Sequence, residues 1–105
     1  MTDKLLVLTT TGLEAEARKI AEMLIERRLA ACVNIIPRIQ SVYRWHGKVE
    51  NAEEFLLIAK TSQGKEQEVH AAIREMHSYE LAECISIPIH GGSAAYLEWI
   101  SESLL

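Results

Sequence analysis

The stretch Ala30-Ala-Cys-Val-Asn-Ile-Ile-Pro-Arg-Ile-Gln-Ser-Val-Tyr-Arg-Trp-His-Gly-Lys-Val-Glu50, continued by Glu53-Glu-Phe-Leu-Leu-Ile-Ala-Lys-Thr61, decides the fold. Ala31 to Ile36 is β-branched and apolar, as a strand would be. Pro37 has no N–H to give to a ladder, so it predicts a bulge or a sheet edge. From Ile39 the chain alternates, with Ile39, Ser41, Tyr43 and Trp45 on one face and Gln40, Val42, Arg44 and His46 on the other. Gly47 marks the turn, and Phe55-Leu-Leu-Ile-Ala59 returns as an inner strand. Glu53 and Glu54 would point to opposite faces, which excludes a paired acid and base. The hairpin is too long and too aromatic for a chain of 105 residues to cover by itself. It is expected to be buried against another copy, with the functional site where copies meet.

Working outward, Leu5-Leu-Val-Leu-Thr9 reads as a central strand, continuous and apolar. Thr11-Gly-Leu-Glu14 matches a capping box, which predicts that Thr11 and Glu14 cap the first helix. Leu13, Ala17, Ile20, Ala21, Leu24 and Ile25 form the apolar face of that helix. Ser62 is the expected cap of a second helix carrying Val69, Ala72, Ile73 and Met76. Ile85, Ile87 and Ile89 alternate with Cys84, Ser86 and Pro88 as a fourth strand, with Pro88 at an edge or bulge. Ser93 is a good N-cap for a C-terminal helix with Tyr96, Leu97, Ile100 and Leu104 facing inward. The order β-α-β-β-α-β plus a helix is the ferredoxin-like α+β arrangement, expected as one domain over residues 1–105. Both main helices should cover one sheet face and leave the other bare, which again points to an oligomer.

The formal net charge of -4 argues against wide contact with nucleic acid, which needs clustered Lys and Arg. The run Leu5–Leu8 is too short for a signal segment, and nothing approaches a membrane span. The expectation is a soluble, cytoplasmic chain. Its two cysteines, Cys32 and Cys84, are then thiols.

With these residues the sequence resembles the CutA family of divalent-cation tolerance proteins. The likeness is carried by Ala30-Ala-Cys-Val-Asn-Ile35, Pro37, Ser41, Tyr43, Trp45, Gly47, Glu53-Glu54, Leu56-Leu57, Lys60-Thr61, His77, Tyr79-Glu80, Tyr96-Leu97 and Trp99-Ile100. It implies a PII-like homotrimer in which long hairpins between the second and third strands wrap neighbouring subunits. It also implies a link to copper or other divalent cations. The chain departs from the family's pattern at Ser78 and Ala82, where prolines are usual, and at Cys84, where an aliphatic residue is usual.

Two sets of residues follow as candidates. Cys32, His77 and Glu80 combine thiolate, imidazole and carboxylate, a set suited to copper or zinc, and Cys84 adds a second soft donor. Tyr43, Trp45, Lys60, Tyr79 and Trp99 are expected to line a cleft between subunits, with Lys60 anchoring a small anionic ligand. The leading function is that of a trimeric divalent-cation tolerance protein that binds copper or similar ions. The alternative is a PII-like signalling module that binds a metabolite in the clefts. An enzyme ranks last: Thr9-Thr-Thr-Gly12 lacks the arginine of the acylphosphatase loop, and no Walker loop, HExxH or nucleophile elbow is present.

Overall fold

Strand β1 (Lys4–Thr11) is an inner strand with a neighbour on each side, and its run Leu5–Leu8 is continuously apolar. The computed structural model describes residues 2–105. Its sheet has the order β2-β3-β1-β4 and is antiparallel throughout, with β2 at Cys32–Trp45, β3 at Lys48–Ser62 and β4 at Ile85–Pro88. Helices α1 (Glu14–Glu26) and α2 (Glu66–Met76) cover one sheet face. There Val7, Leu57 and Ala59 meet Ala17, Ile20, Leu24, Val69 and Ile73 in a buried core. Helix α3 (Ala94–Ser103) reaches the other face at one end, where Lys60 meets Tyr96. The expected α+β order is thus observed.

The Pro37 expectation is met in both of its forms. Strand β2 is an edge strand, and its register jumps from Ile36↔Leu56 to Ile39↔Glu54. One extra residue is accommodated there, with Arg38 at a left-handed φ of 57°. The bulge changes the phase of the strand. Before it, Cys32 and Ile36 lie on the face away from α1 and α2; after it, Ile39, Ser41, Tyr43 and Trp45 do. Beyond Thr11↔Phe55 the hairpin has no third strand, so Ile39–Trp45 and Lys48–Glu54 project as a two-stranded ribbon. His46 and Gly47 both have positive φ, as a tight two-residue hairpin turn between Trp45 and Lys48 requires.

The capping expectations need correction. Thr11 stays in β1, Leu13 occupies the N-cap of α1, and no side chain caps that helix. The Thr11 hydroxyl instead donates to Glu16 Oε2 at 2.5 Å. Ser62 ends β3 ahead of a single 3-10 turn (Gln63–Lys65) and caps nothing with its side chain. Only Ser93 behaves as expected, accepting from the Tyr96 N–H. Leu13 and Ile25 are exposed, and Met23 is buried in their place. Leu13 precedes the first turn, and Ile25 faces the end of α3 beside Ser103 instead of the core. Tyr96 is also exposed, its hydroxyl beside the Lys60 ammonium; Ile100 and Leu104 do the packing.

Candidate functional site

Where the ribbon leaves the sheet, a cavity of about 600 Å³ opens on the face away from α1 and α2. Its floor is Thr10 and Glu54 with Ser41, Tyr43 and Trp45 of the ribbon. Its wall is the segment after α2, through Tyr79, Glu80, Leu81 and Glu83. The bulge matters here, because it sets Tyr43 and Trp45 on the same face as Glu54.

The wall is fixed by hydrogen bonds of long sequence separation. β4 pairs with β1 only as far as Leu8↔Ile85, and two residues further the Thr10 carbonyl accepts from His77 Nε2 at 2.6 Å. A carbonyl can only accept, so this nitrogen carries the proton. The Tyr79 N–H donates to His77 Nδ1 at 3.1 Å, which uses the remaining lone pair. Both ring nitrogens of His77 are therefore engaged, its side chain is wholly buried, and Glu16 Oε2 lies 3.6 Å from Nδ1. Tyr79 in turn donates from its hydroxyl to Glu54 Oε2 at 2.8 Å. Gly12 is what leaves room for that hydroxyl, since a Cβ there would sit 3.0 Å from it.

The electrostatics follow from burial and these bonds. Burial, reinforced by the Glu54 carboxylate, pushes the Tyr79 phenol up to about 12. Burial also works to raise Glu16, but hydrogen bonds from Thr11 and Ser78 and the nearby His77 outweigh it, and the carboxyl lies below its usual range. Glu54 is 6% exposed and has no cationic partner among the described residues.

The structure divides both expected residue sets. Tyr43, Trp45 and Tyr79 line the cavity with Glu80, but Lys60 and Trp99 do not. The Lys60 ammonium lies 3.4 Å from the Tyr96 hydroxyl and over its ring, and Trp99 stacks on Tyr96 at 5.4 Å. Lys60 pairs with Leu6, four residues along β1 from Thr10, a separation of about 13 Å. Cys32 sits opposite Lys60 at that same far end, its Sγ 3.9 Å from Asn34 Oδ1. Cys84 is half-buried against the core, and burial raises its thiol pKa. Cys32, His77, Glu80 and Cys84 thus do not converge. Among the described residues no three His, Cys, Asp or Glu side chains come together as a group able to hold a metal.

Sequence reasoning did not single out Glu54, Glu83 or Thr10 for this site. The signal for Glu54 was available: its strand phase opposes Ile39 across the bulge and matches Tyr43 and Trp45. The partnership of Thr10 with His77 spans 67 positions and leaves no local pattern.

Known proteins bear directly on this arrangement. Residues 5–103 match the family described as CutA1 divalent ion tolerance protein. The divalent-cation tolerance protein CutA of Thermus thermophilus is 41% identical over 97 residues, covering 92% of this chain and 94% of that protein. The CutA homolog of Xenopus laevis is 46% identical over 86 residues, and the match spans 82% of this chain but only 57% of the relative's length. The crystal structure of CutA from Xylella fastidiosa superposes with a TM-score of 0.96 at 33% identity, over 98% of this chain and 99% of that one. Sequence and overall shape agree, and the chain belongs to the CutA1 divalent ion tolerance family.

Proposed function

We propose that this chain acts as a non-enzymatic, single-domain homotrimer that takes up copper or a similar divalent cation where its subunits meet. The observation that supports assembly is the sheet face left uncovered by α1 and α2. Ile36, Ile85 and Ile87 on that face are 41%, 50% and 42% exposed, next to the exposed Val42, Tyr43 and Trp45 of the ribbon. Apolar area of this kind favours association, since each Å² removed from water contributes about 25 cal/mol. Family membership supports the cation. Because one subunit does not gather a ligand set, the metal site needs donors from neighbouring copies. Cys32 and Glu80 are the candidates left for that role, since Cys84 packs against the core and His77 is committed to the wall of the cavity.

The two free thiols fit a reducing compartment such as the cytoplasm. Among the described residues no helix is long and apolar enough to cross a membrane.

Light scattering tests the assembly: a mass of three subunits is expected, falling to one in Ile36→Asp/Ile87→Asp. Anaerobic titration with Cu(I), and separately Cu(II), against a competing chelator tests the metal. One ion per subunit is expected, with loss in Cys32→Ala and Glu80→Gln. Weak binding that is unchanged in both variants would remove the metal part of the proposal.

A further inference from the structure

Residues 77–84 join α2 to β4 outside any helix or strand and contain neither Pro nor Gly. Their path is therefore set by hydrogen bonds, and these enter at the first residues of the segment. Glu16, in the first turn of α1, lies behind that entry. Its side chain is 13% exposed, its Oε2 accepts from the Thr11 hydroxyl, and the same oxygen lies 3.6 Å from His77 Nδ1. Ser78 presents both its backbone N–H and its hydroxyl to this carboxylate. One side chain of α1 thus joins the end of β1 to the start of the segment. A carboxylate has lone pairs for about four such bonds, and its charge makes each stronger than a neutral one. Thr11 and the His77 side chain are fully buried within the one chain, so assembly leaves their surroundings as they are.

We infer that Glu16 is a positioning residue for the cation site: by clasping Ser78 it sets the course of the segment and so the place of Glu80. This rests on the reading of Glu80 as a cation donor. His77 cannot do the same work alone. Its ring is tied back to Thr10, and its link forward is the single bond from the Tyr79 N–H. Ser78 lies between them, and Glu16 is what holds it. The backbone shows what could stand in for the clasp. His77 has φ of -80° and ψ of 139°, the extended conformation that a following proline imposes. A proline at position 78 should therefore fix through its ring what Glu16 fixes through charge, although it loses the N–H.

The test measures amide hydrogen exchange by NMR on the full, assembled, metal-free chain at pH 7. In Glu16→Gln the Tyr79 amide should exchange about tenfold faster, the difference between a charge-assisted and a neutral hydrogen bond. The amides of β1 should keep their parent rates, which separates local release from general destabilisation. Ser78→Pro added to Glu16→Gln should bring the Tyr79 amide back to within a few-fold of the parent. Unchanged exchange in Glu16→Gln, equal acceleration in β1, or no rescue by the proline overturns the inference. The copper titration is then repeated on the same variants. Several-fold weaker binding is expected in Glu16→Gln, with recovery in Glu16→Gln/Ser78→Pro. Weakening in Glu80→Gln but none in Glu16→Gln overturns the positioning role. Copper binding indifferent to both, with exchange accelerated and rescued, supports the clasp and removes Glu80 from the metal proposal.

Discussion

The Tyr79 hydroxyl donates a 2.8 Å hydrogen bond to Glu54 Oε2, tying the segment after α2 to a strand residue 25 positions earlier. Tyr79→Phe removes the donor and leaves a buried carboxylate less satisfied. A loss of about 1–3 kcal/mol is expected in urea denaturation. The phenol lies at about 12, above its usual 10.0. A raised value means that its contribution to stability is complete below pH 10 and is lost as pH rises through 12. Ultraviolet titration of the phenolate should therefore show one late tyrosine, absent in Tyr79→Phe, and the variant should lose less stability on the alkaline side.

Gly12→Ala tests the same contact from the other partner. The added Cβ stands 3.0 Å from the Tyr79 hydroxyl, so the ring must give by a few tenths of an ångström, which strains its bond to Glu54. The single substitution is expected to cost about 1 kcal/mol, on the scale of one net hydrogen bond. In Tyr79→Phe protein the cost should shrink, because the crowded oxygen is gone. A double-mutant cycle measures this coupling, and strict additivity would contradict the assigned contact.

Acid stability should depend on Glu16. Its carboxyl is held below the usual 4.5 by Thr11 and Ser78 against the opposing effect of burial. A lowered value contributes stability that is present above the unfolded pKa and is lost as pH falls through the folded one. Unfolding followed from pH 7 downward should show this loss beginning near pH 4.5. Thr11→Val removes the hydroxyl that donates to Glu16. It should cost about 1 kcal/mol at neutral pH and reduce the acid-side slope.

The bulge offers a backbone test. Arg38 lies at φ 57°, where side chains cost roughly 1 kcal/mol relative to glycine. Arg38→Gly relieves this but loosens the unfolded chain by a similar amount, so near-neutral stability is expected. Arg38→Val puts a β-branched residue in the same conformation and should cost about 1–2 kcal/mol. Chemical denaturation of the pair separates the two effects.

The parts of this molecule that were legible in the sequence are those written as periods. Alternation in Ile39–Trp45, the apolar continuity of Leu5–Thr9 and the helical stripe through Ala17, Ile20 and Leu24 each name an element and its buried side. Pro37 named its own irregularity because a missing N–H is a property of the residue alone. Thr11 was misread because a capping box is a local pattern, and the hydroxyl found Glu16, two residues beyond Glu14. The site was legible only in part. Tyr43 and Trp45 followed from strand phase, but Lys60 shares the far sheet face with them while lying too far along it. His77 shows the limit most plainly: a histidine with free nitrogens and one with both engaged look alike in a sequence, and Thr10 and Tyr79 decide between them.

In the single subunit β2 is a margin of the sheet for all its 14 residues. A margin of that length, if regular, would be a template on which strand after strand could be added, the route by which soluble proteins become fibrils. The irregularity at Pro37 and Arg38 cuts this template into Cys32–Ile36 and Ile39–Trp45, with a gap in the row of donors and a change of twist between them. The extra residue puts the two pieces out of phase, so a strand paired with one must absorb that residue to continue along the other. Open-ended growth along this edge is thereby discouraged.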